Sequence, residues 1–118
     1  MTRDTRQTGI LAETLATKAL IEKGFRILEN NFSNRFGEID IIAKDKGILV
    51  FVEVKAKKGL EFGTPEEMIT PSKLKRVKNM ATVYMKGQIV PCRIDVITVI
   101  LSSQGKLIRL THYENVYI

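Results

Sequence analysis

Asp40, Glu53 and Lys55 have the residue types and the spacing for chemistry on phosphate. They sit in the stretch FGEIDIIAKDKGILVFVEVKAKK, Phe36 to Lys58, among isoleucines and valines. Ile39 to Ala43 and Ile48 to Val54 are rich in β-branched residues, and Asp45-Lys46-Gly47 supplies turn chemistry, so the stretch reads as a β-hairpin. Side chains alternate faces along a strand. Glu38, Asp40 and Ile42 then share one face, and Ile39, Ile41 and Ala43 the other. On the second strand Phe51, Glu53 and Lys55 lie opposite to Val50, Val52 and Val54. A two-residue turn at Lys46-Gly47 pairs Asp45 with Ile48; counting outward sets Asp40 against Glu53 and Glu38 against Lys55. Exposed hairpin faces often carry Glu–Lys ladders, and Glu38–Lys55 fits that pattern. Asp40–Glu53 does not, because directly opposed carboxylates repel. A hard divalent ion such as Mg²⁺ binds one or two carboxylates plus phosphate oxygens and would resolve the repulsion. Lys55, on the same face, could orient a water or stabilise charge on a phosphate.

Other elements must position this hairpin. A helix is expected from about Thr5 to Lys23, with Asp4 as a cap and Gly24 as a stop. Leu11, Leu15 and Ala19 form one apolar stripe, with Ala12, Ala16 and Leu20 beside it. Phe25 to Phe32 reads as a strand that Asn30-Asn31 distorts or ends. Lys57 to Pro71 reads as a long loop with one helical turn around Glu66 to Ile69. Thr70-Pro71 resembles an N-cap followed by proline at the first helical position, opening a helix to about Met85 that Gly87 stops. Ile94 to Leu101 and Leu107 to His112 complete the strands. Helices interleaved with a sheet predict a layered α/β domain covering the whole chain.

Composition narrows the function classes. The chain has 118 residues, a net charge of +6, one cysteine and one histidine. An internal disulfide, a cysteine-based zinc site, a histidine-dominated metal site and a Cys–His catalytic pair are all disfavoured. Cys92 is expected to be a small buried hydrophobe and His112 a surface or strand-end residue. The polar N-terminal stretch and the lack of a long apolar run make a cytoplasmic protein with no membrane association the expectation. The basic excess favours a polyanionic partner such as nucleic acid. Lys73, Lys75, Arg76 and Lys78 on the second helix, with Lys57 and Lys58 after the hairpin, could contact phosphates without reading sequence; a solvated helix face is the alternative.

The pattern Asp40, Glu53-Val54-Lys55 resembles the PD-(D/E)xK signature of restriction-endonuclease-like nucleases, with Ile39 standing where that motif has proline. The wider context, Gly37-Glu38-Ile39-Asp40-Ile41-Ile42-Ala43 and Leu49-Val50-Phe51-Val52-Glu53-Val54-Lys55, resembles the small bacterial YraN-like proteins. These are predicted nucleases related to archaeal Holliday junction resolvases. Lys23-Gly24-Phe25-Arg26, Phe62-Gly63-Thr64-Pro65, Lys73 and Arg93-Ile94-Asp95-Val96 extend the likeness over nearly the whole chain. The resemblance implies a restriction-endonuclease-like three-layer α/β/α core with a central mixed sheet. It implies Asp40 and Glu53 on Mg²⁺ or Mn²⁺, Lys55 assisting the water, and Glu13 on the first helix as a further acidic residue at the metal. A helix-edge salt bridge is the other reading of Glu13. DNA, branched or junction DNA in particular, becomes the expected substrate. A homodimer would suit a two-strand cut. Two competitors stand beside the nuclease: a non-catalytic nucleic-acid-binding module, and a small subunit docking on a DNA-processing complex through an apolar tail of Tyr113, Val116, Tyr117 and Ile118.

Overall fold

The computed structural model of the chain describes residues 3–61 and 63–116, without the side chains of residues 3 and 4. Phe62 of the loop and Tyr117 and Ile118 of the tail lie outside the described residues. The first helix, α1, spans Arg3–Glu22 and buries Ala12, Ala16 and Leu20, with Leu11 and Leu15 half-buried beside that stripe. Asp4, read as the cap, lies inside the helix. Gly24 does end it: at φ +92° its N–H reaches the Ile21 carbonyl at 3.0 Å, and the Phe25 N–H reaches Leu20 at 3.0 Å. Those two bonds form the helix stop that a left-handed glycine allows.

Five strands make one sheet in chain order: β1 (Arg26–Asn34), β2 (Gly37–Asp45), β3 (Ile48–Lys58), β4 (Cys92–Leu101) and β5 (Leu107–Tyr113). Neighbours run antiparallel except β3 and β4, which are parallel. Parallel neighbours need a crossover. Residues 59–91 provide it, with a 3-10 turn at Pro65–Met68 and a second helix, α2, at Pro71–Met85. The start of α2 follows the sequence signal: the Thr70 hydroxyl accepts the Lys73 N–H at 3.2 Å, and Pro71 occupies the first turn. Its end does not, because Lys86 at φ +54° takes the left-handed cap one residue before Gly87.

The sheet has a core on each face. Under α1 lie Ile41, Ala43, Val50, Val52, Ile97, Val99 and Leu101; under α2 lie Ile39, Ile42, Leu49 and Phe51 with Val77, Met80 and Ala81. The arrangement is a three-layer α/β/α core around a mixed sheet, as expected. Cys92 does not sit where the sequence placed it, and His112 keeps its expected place at a strand end without being at the surface. Cys92 is exposed at the open start of β4, and the His112 side chain is buried inside a polar network described below. Among the described residues no helix is long and apolar enough to cross a membrane.

Candidate active site at a strand fork

The β2–β3 turn is built on two left-handed residues, Lys46 (φ +50°) and Gly47 (φ +85°), the geometry that suits a tight hairpin. It fixes the predicted register: Asp45 pairs with Ile48, and the ladder runs to Ile41 and Val52. Asp40 and Glu53 are the next step of that count, and there the ladder stops. β3 continues along β4 as far as Lys58 and Leu101, while β2 continues along β1 as far as Gly37 and Asn34. The two strands part in a fork. The Asp40 carboxylate bridges it, its Oδ2 accepting the Val54 N–H at 2.7 Å.

Strict alternation fails at the same step. Ile41 packs under α1, but Ile39 packs with Ile42 under α2, contrary to the simple face count. Across β1 the residue in step with Asp40 is Asn31, held left-handed at φ +56°, a conformation asparagine tolerates better than most residues. Asp40 is thereby left at the boundary of both faces. It lines an open groove of about 270 Å³ beside α1, with Glu13, Glu38, Val54 and Lys55. It also lines one of about 480 Å³ beside α2, with Glu53, Lys55, Lys73 and Arg76.

The electrostatics of the fork are those of crowded like charges. Burial and the Glu53 charge push Asp40 up to about 8, although the Val54 N–H opposes this. Its carboxyl is hydrogen-bonded to that of Glu53, which burial also raises against the lowering charge of Lys55. The bond between the two acids raises Asp40 and lowers Glu53, so a shared proton belongs first to Asp40, and the rise at Glu53 is the work of burial. Lys55 Nζ stands 3.8 Å from Glu53 Oε1. Lys73 reaches in from the first turn of α2. Burial and the neighbouring Lys55 ammonium lower it, and the Glu53 charge raises it. Glu13 approaches from α1, its Oε1 accepting from Asn30 at 3.5 Å; burial raises it, and its charge adds to the rise at Asp40. Among the described residues no three Asp, Glu, His or Cys side chains are gathered to hold a metal ion, so the fork offers a close acid pair with Glu13 standing off.

The basic residues divide. Lys73 and Arg76 line the α2-side groove, and Lys57 and Lys58 border an adjoining groove with Lys55 and Met68. Lys75 is exposed on α2, and Lys78 faces another groove beside Asn115 and Val116.

Two positioning networks went unread in the sequence. Glu66, in the 3-10 turn, accepts from Thr98 (2.8 Å), Tyr113 (2.8 Å) and Arg109 (2.6 Å), fastening the crossover to β4 and β5. Burial alone would raise its carboxyl, but those hydrogen bonds hold it at about 2. Asp95, wholly buried, accepts from Arg93 Nε (2.9 Å), His112 Nε2 (2.8 Å) and the Asn115 N–H (2.9 Å). Those donors keep it below the ordinary carboxylate range against the upward push of burial. Lys23 Nζ donates to His112 Nδ1 at 2.8 Å, which leaves Nε2 as the ring donor. The signal was weak, since each network is assembled from residues far apart in the chain.

Fold and fork together define a three-layer α/β protein with a lysine-flanked acid pair where a hairpin opens. The chain belongs to the family described as uncharacterised protein family UPF0102, whose profile matches residues 12–99. It is 36% identical to a UPF0102 protein of Dictyoglomus turgidum over 95% of this chain and 98% of that one. A UPF0102 protein of Pelotomaculum thermopropionicum is 40% identical over 92% and 93%. One of Lachnoclostridium phytofermentans is 44% identical over 86% and 88%.

Proposed function

We propose that this protein is a metal-dependent nuclease hydrolysing phosphodiester bonds in DNA, with its centre at the Asp40–Glu53 fork. One observation carries the reading: two sets of like charges stand side by side. Burial raises both acids, the Glu53 charge raises Asp40 further, and Lys55 and Lys73 meet beside them. Ion pairs built for stability alternate their signs. A pair of crowded acids beside a pair of cations suits a divalent ion bound to a phosphate, which would bring each set its opposite.

The donor set fits such an ion. Asp40 and Glu53 offer hard oxygens within hydrogen-bonding reach of one another, so these two would hold Mg²⁺ or Mn²⁺ with Glu13 as an outer acid. Such an ion, held by Asp40 and Glu53, would supply a lowered pKa for bound water and a charge to offset that on the leaving oxygen. The Val54 N–H fixes Asp40 at the mouth of the fork. Lys55, beside Glu53, would orient the attacking water or donate to a phosphate oxygen. Lys73, close to Lys55, and Arg76, further along α2 on the same groove, would hold the adjoining phosphates without reading bases. The likeness of Asp40, Glu53 and Lys55 to the PD-(D/E)xK pattern supports the same roles.

The test is cleavage of labelled four-way junction, flap, single-stranded and duplex DNA with Mg²⁺ or Mn²⁺. Asp40→Ala and Lys55→Ala should each lose on the order of a hundredfold or more in rate. Binding without cutting, unchanged in both variants, would instead identify a non-catalytic binding module.

A further inference from the structure

Phe36 is 66% exposed at the tip of the β1–β2 hairpin, where it has no core to fill. The Arg35 guanidinium lies over its ring, 4.8 Å from the centroid. The ring is not on a slack loop. Asn34 pairs with Gly37 across the turn, and Asn34 Oδ1 accepts the Phe36 N–H at 2.8 Å. The strand pair beside the turn is packed as well: a Cβ on Gly37 would stand 3.4 Å from Arg76 Cδ and 3.5 Å from Met80 Cγ. Ser33, Asn34 and Gly37 line the groove that also holds Asp40, Glu53 and Lys73. Tip and fork are thus two ends of one surface, with Arg76 between them. Four strand steps separate Phe36 from Asp40, roughly 13 Å, which is the span of a few nucleotides.

A flat apolar ring backed by a guanidinium, in line with a basic groove, has the chemistry of a base-stacking platform. Bases inside a duplex have both faces covered by neighbours. We infer that Phe36, with Arg35 behind it, stacks on an unpaired DNA base a few nucleotides from the phosphate held at the fork. The inference rests on the nuclease reading and adds to it a substrate feature: single-stranded nucleotides beside the cleavage position. Phe36 is then a residue that selects substrate and takes no part in the chemistry.

The experiment reads binding apart from cutting. Fluorescent duplex, duplex with a single-stranded tail, and single-stranded DNA are titrated in chelator with wild type, Phe36→Ala and Phe36→Trp. Phe36→Ala should weaken binding to the tailed and single-stranded DNA by about tenfold and leave duplex binding unchanged. Phe36→Trp should restore the affinity, and tailed DNA should quench its indole emission. Equal affinities for all three proteins, an equal loss on duplex and tailed DNA, or an unquenched tryptophan would overturn the inference. Phe36-dependent binding with no cutting by wild type would remove the nuclease and keep the platform. Cutting that needs Asp40 and Lys55 but ignores Phe36 would do the reverse.

Discussion

Replacing Asp40 by asparagine should make the metal-free protein more stable while abolishing its proposed activity. The amide oxygen can still accept the Val54 N–H, and the amide NH₂ can donate to Glu53, so the substituted side chain copies the protonated acid. In the folded chain Asp40 keeps its proton up to about 8, against an ordinary value of 3.8. Its folded pKa is raised, so its contribution is fully present below about pH 4 and drains away as pH rises toward 8. At neutral pH the burden of holding that proton is about 4 kcal/mol for an isolated group. Sharing with Glu53 lowers this, and about 2–4 kcal/mol is the expected gain for Asp40→Asn near pH 7, or roughly 10 °C in melting temperature. Melting in chelator from about pH 4 to pH 8 reads it directly: the wild-type curve should decline across that window relative to the variant, and the two should converge at its acid end. Added Mg²⁺ should stabilise wild type and leave Asp40→Asn unmoved. A variant that is less stable throughout, or a constant gap across the window, would refute the crowded-acid account.

Further consequences follow from the same geometry. Glu66→Gln should lose about 2 kcal/mol at neutral pH, because the depressed carboxyl anchors three donors. The sign is opposite to that of Asp40: the contribution of Glu66 is present above the ordinary carboxylate range and vanishes as pH falls toward 2, so the melting curves of wild type and Glu66→Gln should approach one another in acid. Asp95→Ala strips the buried partner from Arg93 and His112 and should cost about 3–5 kcal/mol by denaturant unfolding. Lys73→Ala with Arg76→Ala should weaken DNA binding uniformly across sequences and flatten the plot of log affinity against log salt by about one unit per lysine or arginine lost; an unchanged slope would take both residues off the DNA path.

Much of this was legible because it was local. The turn residues and the β-branched runs determine the hairpin register, and the register sets Asp40 against Glu53. The Thr70-Pro71 start of α2 is equally local. The fork itself could not be read, since it arises from competition between partners. β4 holds β3, and β1 holds β2, past the point where the two strands would otherwise stay together. The kink that turns Ile39 to the α2 side depends on a left-handed Asn31 on another strand. Lys73 was read as one cation among several on a basic helix; the Glu66 anchor and the crossover bring it to Glu53. Cys92 is exposed where burial was expected, while His112 keeps its expected strand-end place with its side chain buried. The His112 side chain is enclosed by partners from other parts of the chain, Lys23 beyond α1 and Asp95 on β4, and of that network only Asn115 lies nearby in sequence.

The strand order carries a last consequence, in the order of assembly. β1, β2 and β3 close as two hairpins from neighbouring chain, whereas pairing β3 with β4 must wait for the whole crossover. Asp40 and Glu53 are both in the early part, and Lys73 arrives with the late part. The repelling acids are therefore brought together before the cation that α2 contributes. Lys55 arrives with β3 and meets part of that repulsion; a proton or a divalent ion would meet the rest on the nascent hairpin, so refolding of this chain should quicken with Mg²⁺ or mild acid.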